Sequence, residues 1–234
     1  MPIVFIKDID SHTRLGLWQM DEELRMEDVC PPFVCKWLQE KCKSRQMETI
    51  ATYALLRKLM CRTDLFITHE QNGKPYLKIA DIDIEKKEFN ESFGHKANFN
   101  ISISHTNGFA SIIVSSTKNV SIDIEYRNDR VKRIANRFLR EDEYIRFDEK
   151  NSINPVILNN NLSYQTLLLL HWCAKETVYK FYSDERLTFQ NMRVEEIGYI
   201  KEEGIFGCEN LVSNVENEIH YIQNEEIVMT YCLE

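Results

Sequence analysis

The sequence lacks the marks of a membrane or secreted protein. No apolar run is long enough to span a bilayer, and the first residues, 1–8, are too short and too soon charged for a signal peptide. Its seven cysteines include no C-x-x-C pair and no histidine spacing typical of zinc. This pattern favours reduced thiols. We therefore expect a cytoplasmic protein that does not bind membranes.

An excess of positive charge is also missing. The 234 residues include 29 Lys and Arg but 37 Asp and Glu, which gives a net charge of -8. This balance argues against a general binder of nucleic acids or anionic membranes, although an acidic partner could still meet a local basic patch. With 43% hydrophobic and 28% charged residues, the composition is that of a globular protein with one large domain or two small ones.

One alternating stretch, Val120–Tyr126, carries the most informative pattern. Apolar residues alternate with polar ones, which predicts a half-buried strand with Asp123 and Glu125 on the same face. Two like charges at this spacing repel each other, so a cation is expected between them, and Mg²⁺ needs only one or two protein carboxylates. A solvated sheet face is the commoner explanation of such a pair. The similar run at 81–85 leads straight into further charges and is interpreted as an exposed edge or linker.

Strand and helix patterns fill most of the remaining chain. Strands are predicted at residues 2–6, 14–18, 65–68, 75–79, 99–105, 110–115, 192–196, 205–208, 219–223 and 227–233. Helices are predicted at residues 33–43, 47–60, 130–139 and 167–181. The three strands between residues 99 and 126 are interpreted as one meander, which would place His105 one strand away from Asp123. Residues 81–96 and 151–161 are interpreted as loops.

A third carboxylate lies on the helix predicted at 167–181. Trp172, Glu176 and Lys180 recur every four residues and so share one stripe. A Glu–Lys pair at this spacing is often a surface ion pair, but an unpaired carboxylate on an apolar helix would be costly to bury. Three carboxylates suit a hard cation, and His105 with nearby lysines suits a phosphate. Together they indicate metal-assisted transfer at a phosphate or pyrophosphate.

Several stretches resemble the motifs of Sfp-type 4′-phosphopantetheinyl transferases. They are S-I-S-H-T at 102–106, S-I-D-I-E at 121–125, R-F-L-R-E-D-E-Y at 137–144 and W-C-A-K-E-T-V-Y-K at 172–180, with an upstream N-G-K-P at 72–75. The motifs follow the family's order, and the resemblance covers roughly Lys36 to the C-terminus. Ser121 stands where a glycine is usual, and Thr106 where a second serine often follows the histidine. Both replacements are small residues.

The resemblance implies an α+β fold of two pseudo-symmetric halves, residues 1–117 and 118–234, each a small antiparallel sheet packed with helices. The active site would lie between them. It also implies transfer of the 4′-phosphopantetheine group of coenzyme A to a serine of an apo acyl or peptidyl carrier protein, with release of 3′,5′-ADP. The cofactor would be Mg²⁺ or Mn²⁺. Because the chain is long enough to contain both halves, we expect a monomer.

The resemblance also implies roles for individual residues. Asp123, Glu125 and Glu176 would hold the metal. Glu176, Lys180 and Asp123 would be catalytic, with Glu176 as the base for the serine hydroxyl and Lys180 at the pyrophosphate. The coenzyme A contacts would be Lys36, Arg45, Lys74, Ser104, His105 and Lys180.

Two other functions remain open. A catalytically silent protein could keep the coenzyme A pocket or the carrier-binding surface alone. A metal-dependent nuclease of the D…E-x-K type is a further alternative, but here Lys180 lies four residues beyond Glu176 rather than two, and the chain is acidic.

Overall fold

The computed structural model describes residues 3–20, 23–80, 94–143, 161–198 and 200–234. These residues form helices packed on small antiparallel sheets, which confirms the predicted α+β class. The chain divides into two compact units, residues 1–120 and 121–234, called here the N-terminal and the C-terminal unit. The predicted pseudo-symmetry of two halves stays a prediction.

The N-terminal unit contains two antiparallel sheets. One has the strand order β1-β2-β7-β6, and the other has the order β3-β4-β5. The strands are β1 (Ile3–Asp8), β2 (Thr13–Gln19), β3 (Leu65–His69), β4 (Pro75–Ala80), β5 (Gly94–Lys96), β6 (Asn100–Thr106) and β7 (Phe109–Ser115).

Three helices accompany these sheets: α1 (Met26–Val29), α2 (Pro32–Leu38) and α3 (Lys43–Met60). α3 packs on β2 and β7 and buries Leu55, Leu56 and Leu59. Glycine on β2 accommodates this close approach, because a Cβ at Gly16 would lie 2.7 Å from Cδ1 of Leu55 and would force that side chain to shift. α3 is therefore fixed firmly against the larger sheet.

The C-terminal unit is one five-stranded sheet with helices. Its strands are β8 (Val120–Tyr126), β9 (Met192–Val194), β10 (Glu203–Asn210), β11 (Val215–Gln223) and β12 (Ile227–Leu233), in the order β8-β12-β11-β10-β9. The helices among its described residues include α4 (Arg130–Phe138) and α5 (Asn161–Phe181), and a short 3-10 turn (Phe189–Asn191) follows. The antiparallel meander expected at the end of the sequence is present.

One predicted pairing is wrong. β8 does not continue a meander with β6 and β7, because β7 has β2 on one side and β6 on the other, which leaves it no edge for β8. β8 instead pairs with β12. His105 is therefore not one strand away from Asp123. β8 is also more buried than expected, since Ser121 and Asp123 are as inaccessible as their apolar neighbours.

Both predicted loops need correction at their ends. Residues 94–96 form β5 and pair with β4, although the whole of 81–96 was expected to be irregular. Asn161 begins α5, although a loop was predicted through this residue. The remaining parts of these two loops, 81–93 and 151–160, lie outside the described residues.

All seven cysteines are free thiols, and Cys42 and Cys61, which flank α3, are the exposed ones.

Across the described ranges, no helix combines the length and the apolar character needed to cross a membrane.

Candidate active site

In the C-terminal unit, α5 packs on β12, and its side chains reach the polar face of the neighbouring strand β8. The indole Nε1 of Trp172 donates a hydrogen bond of 3.0 Å to Oε1 of Glu125. Two turns further on, Nζ of Lys180 donates to Oδ1 of Asp123 at 2.7 Å. The stripe predicted on the helix thus faces the two carboxylates predicted on the strand.

Lys180 is fixed by two acceptors on β8. Besides Asp123, it donates a hydrogen bond of 3.0 Å to the carbonyl oxygen of Ile122. The Lys180 side chain keeps 28% of its surface exposed, whereas that of Asp123 keeps only 8%. The ammonium group is therefore held in place, while part of the Lys180 side chain stays accessible to solvent.

Glu176 is the titratable group at the centre of this arrangement. The pKa of Glu176 is raised to about 7, first by burial and then by the nearby charges of Asp123 and Glu125, while the charge of Lys180 opposes the rise. A carboxyl group with a pKa near 7 exchanges its proton readily at neutral pH. Glu176 therefore has the property that a general base requires.

The donor set fits a hard divalent cation. Carboxylate oxygens are the ligands that Mg²⁺ and Mn²⁺ prefer, and the mutual repulsion that raises the pKa of Glu176 is what a cation would relieve. Within the part of the chain that the structure describes, no group of three His, Cys, Asp or Glu side chains is already arranged to hold a metal ion. Mg²⁺ usually takes only one or two protein carboxylates and completes its shell with water and phosphate oxygens. The three-carboxylate metal site stays a prediction.

A buried ion pair holds α5 from another side. Nζ of Lys175 lies 2.7 Å from Oε2 of Glu143, and both side chains are fully buried. Lys175 also donates to the carbonyl oxygens of Phe138 and Phe189, at 2.7 and 3.3 Å. Because Lys175 precedes Glu176, this anchor fixes the rotation of α5 that turns Glu176 towards β8.

α4 presents a basic surface. It carries four basic and no acidic residues, and all four are exposed, namely Arg130, Lys132, Arg133 and Arg137. Arg130 shares a small cavity with Glu125 and Trp172, so the basic surface adjoins the carboxylate site. The chain has a net charge of -8, so α4 is a positively charged surface on a negatively charged protein.

The N-terminal unit has a cavity of about 460 Å³. Its apolar lining comes from Phe33, Val34, Trp37, Tyr53, Ile67 and Ile103. Its polar and cationic lining includes Arg45, Thr49, Thr52, His69 and His105. Trp37 stays 43% exposed, which is unusual for a large aromatic side chain. An aromatic and apolar wall beside cationic groups suits a ligand with a flat ring and anionic substituents.

The predicted coenzyme A contacts of this unit divide into three groups. Arg45 and His105 line the cavity. Lys36 and Lys74 are sequence neighbours of lining residues, Trp37 for the first and Gly73 and Pro75 for the second. Ser104 does not line it, because it alternates with His105 along β6 and so projects from the opposite face.

Sequence reasoning missed most of the cavity. Thr49 and Thr52 follow Arg45 by four and seven residues, so all three share one face of α3. The four- and seven-residue spacing of this polar stripe is a signal in the sequence that could have indicated it. Trp37 and His69 carried no comparable signal, since each is a single residue on an element of its own.

Comparison with known families gives one match. Residues 119–232 match the family model of the 4′-phosphopantetheinyl transferase superfamily. The matched range covers nearly the whole C-terminal unit, including β8 and α5. No curated protein matches the chain.

Proposed function

This chain belongs to the 4′-phosphopantetheinyl transferase superfamily through residues 119–232, and we propose that it transfers the 4′-phosphopantetheine group of coenzyme A to a serine of an apo acyl or peptidyl carrier protein. The observation that carries the proposal is the meeting of Glu176 with Asp123, Glu125 and Lys180 in the C-terminal unit. The serine oxygen would form a bond to the phosphorus that bears the pantetheine arm. The bond from that phosphorus to the bridging oxygen would break, and 3′,5′-ADP would leave.

The metal would be held by Asp123, Glu125 and Glu176. A bound Mg²⁺ or Mn²⁺ would neutralise charge on the pyrophosphate. Carboxylate donors and their mutual repulsion support this assignment.

Glu176 would accept a proton in the reaction, and Lys180 would stabilise the developing negative charge. With a pKa raised to about 7, Glu176 is suited to accept the proton of the serine hydroxyl as the oxygen attacks. Lys180 would donate hydrogen bonds to the pyrophosphate and stabilise the charge that develops on the leaving 3′,5′-ADP. Its fixed position on Ile122 and Asp123 supports this role, because a preorganised donor needs little reorganisation during the reaction.

The cavity of the N-terminal unit would receive the nucleotide end of coenzyme A. Trp37 and the apolar lining suit an adenine ring, and Arg45 and His105 suit a phosphate. Lys36, Lys74 and Ser104 stay predicted contacts. Of these, we expect Ser104 to contribute least through its side chain, because it projects away from the face that carries His105.

The basic helix α4 supports a carrier protein as the second substrate. Carrier proteins are typically acidic around the modified serine, so a local basic surface next to the carboxylate site favours their approach. The exposed Lys132, Arg133 and Arg137 provide that surface.

Mass spectrometry of the carrier tests the activity. With coenzyme A and Mg²⁺, the purified chain should increase the mass of an apo carrier by one phosphopantetheine group. Asp123→Asn and Glu176→Gln should abolish the product while the chain stays folded, and Glu196→Gln, a change at an exposed carboxylate, should leave it intact. An active Glu176→Gln variant would remove the proposed base.

Measurements of coenzyme A binding and of product formation distinguish the transferase from the alternative function. Coenzyme A binding that does not depend on Mg²⁺, combined with no product on any acyl or peptidyl carrier, would indicate a catalytically silent binding protein. The monomeric state and the cytoplasmic location stay predictions, the first of which light scattering tests directly.

A further inference from the structure

Thr52 lies directly against His105 in the cavity of the N-terminal unit. Its Oγ1 is 2.6 Å from Nε2 of His105 and 2.7 Å from the carbonyl oxygen of Glu48, one turn earlier in α3. Thr52 is only 4% exposed, so water competes for the hydrogen bonds of its hydroxyl far less than it does at a surface threonine. It joins a candidate ligand-binding residue to a helix that is fixed against the sheet.

The single proton of this hydroxyl determines whether Nε2 of His105 carries a hydrogen. A carbonyl oxygen can only accept, so the contact with Glu48 requires Thr52 to donate there. A threonine hydroxyl has one proton, and so its oxygen must act as the acceptor towards His105. Nε2 of His105 then carries a hydrogen and donates it to Thr52.

We propose that Thr52 is a positioning residue that holds Nε2 of His105 as a donor, so that His105 meets an anionic ligand in the cavity through Nδ1. Once Nε2 is committed to Thr52, a hydrogen bond from the ring to a phosphate oxygen requires a proton on Nδ1, and the ring is then a cation with two donors. Thr52 accepts from that cation and stabilises it. This inference rests on the proposed function, because the anionic ligand is the nucleotide end of coenzyme A.

The other cationic groups of the cavity agree with this assignment. Arg45 lies on the same face of α3, seven residues before Thr52, and His69 lies at the end of β3. Partial burial and, secondly, the charge of Arg45 lower the pKa of His69, so His69 is a weaker source of positive charge than a histidine in water. Arg45 and a protonated His105 would therefore be the principal cations for a phosphate in this cavity.

Calorimetric titration of the full chain with 3′,5′-ADP tests the role. Thr52→Val removes the acceptor while keeping the shape of the side chain, and it should weaken binding about tenfold, as loss of a hydrogen bond to a charged group does. Thr52→Ser keeps the hydroxyl and should bind within about twofold of the natural chain. In a His105→Ala background, Thr52→Val should have no further effect, because the residue it positions is gone.

Spectroscopy provides a readout that does not depend on the ligand. Nuclear magnetic resonance of the imidazole nitrogens should show a hydrogen on Nε2 of His105 in the natural chain and in Thr52→Ser. A His105 ring with its only hydrogen on Nδ1 in the natural chain would overturn the inference. So would unchanged 3′,5′-ADP affinity in a folded Thr52→Val variant, or an equal loss in the His105→Ala background.

The outcomes for the inference and for the proposed function are distinct. If the natural chain binds 3′,5′-ADP but Thr52→Val binds it equally well, the positioning role is wrong and the transferase proposal is unaffected. If the natural chain does not bind 3′,5′-ADP, the nucleotide site and the role of Thr52 both fall. If binding behaves as expected but no carrier is modified, the role of Thr52 stands and the transfer activity is overturned.

Discussion

Lys175 and Glu143 form an ion pair of 2.7 Å from which solvent is entirely excluded. The two carboxylate oxygens of Glu143 also accept hydrogen bonds from the backbone amides of Arg140 and Val194, at 2.7 and 2.8 Å. A buried charge pair of this kind tolerates the loss of neither partner, because the remaining charge is left in an apolar environment. It links the end of α4, the middle of α5 and β9.

We expect Lys175→Met to lower the free energy of unfolding by about 3–5 kcal/mol, since it leaves the Glu143 carboxylate buried without its cation. Adding Glu143→Gln should cost less than the sum of the two single changes, because the pair is then removed together. Urea denaturation measures both values, and Lys58→Met, at an exposed lysine of α3, is the control. Coincident unfolding curves for Lys175→Met and the natural chain would contradict the prediction.

The raised pKa of Glu176 predicts a pH-dependent stability in the absence of divalent cations. Below its ordinary pKa of 4.5, the carboxyl is protonated in both the folded and the unfolded state, and no penalty applies. Between pH 4.5 and about 7 only the unfolded chain releases the proton, so stability falls as the pH rises, and above about 7 the full penalty remains.

Glu176→Gln should therefore stabilise the metal-free chain at pH 8 by roughly 2 kcal/mol and give no gain near pH 4. Thermal unfolding at both pH values measures this difference. Added Mg²⁺ should raise the melting temperature of the natural chain more than that of the variant, because the variant lacks one of the proposed ligands. A gain from Glu176→Gln that is equal at both pH values would contradict the assigned cause.

The basic surface of α4 predicts a selective effect on the carrier substrate. Arg133→Glu combined with Arg137→Glu should raise KM for the carrier on the order of tenfold and leave KM for coenzyme A unchanged, because steering between charged surfaces depends on their signs. Lys201→Glu, at an exposed lysine elsewhere in the C-terminal unit, also reverses a positive charge and should have little effect. Equal losses for both substrates would indicate that α4 is not a docking surface.

Replacement of Ser121 by alanine should stabilise the fold. Its side chain is fully buried, and its hydroxyl has no hydrogen-bond partner among the residues that the structure describes. An unsatisfied buried hydroxyl is unfavourable, so Ser121→Ala should raise the free energy of unfolding by about 1 kcal/mol. Ser111→Ala is the matched control, because the equally buried Ser111 hydroxyl donates to the carbonyl oxygen of Ser104 and its loss should destabilise. Chemical denaturation should show a higher free energy of unfolding for Ser121→Ala and a lower one for Ser111→Ala.

The periodic signals in the sequence were sufficient for single elements. The alternation in β8 predicted a strand with two acidic residues on one face, and the four-residue spacing in α5 predicted that Trp172, Glu176 and Lys180 share a stripe. Both hold in the structure, where Trp172 and Lys180 contact the two acidic residues. Periodicity works here because a side chain's direction follows from the backbone repeat alone.

Strand partners and the cavity could not be predicted in the same way. The pairing of β8 depends on which strand edges remain after β2 has paired with β7, and these strands are far apart in the sequence. The cavity takes residues from α2, α3, β3 and β6, so no single segment carries its pattern. Thr52 on its own looks like any small residue on a packed helix, and only the fold shows that it touches His105.

α3 buries leucines against β2 and β7 and presents Arg45, Thr49 and Thr52 to the cavity. Occupancy of the cavity and folding of the N-terminal unit are therefore linked by mass action. A ligand present at one hundred times its Kd, and bound by the folded state alone, adds about 2.7 kcal/mol to the free energy of unfolding. The lifetime of the folded chain should accordingly follow the supply of the molecule that fills the cavity.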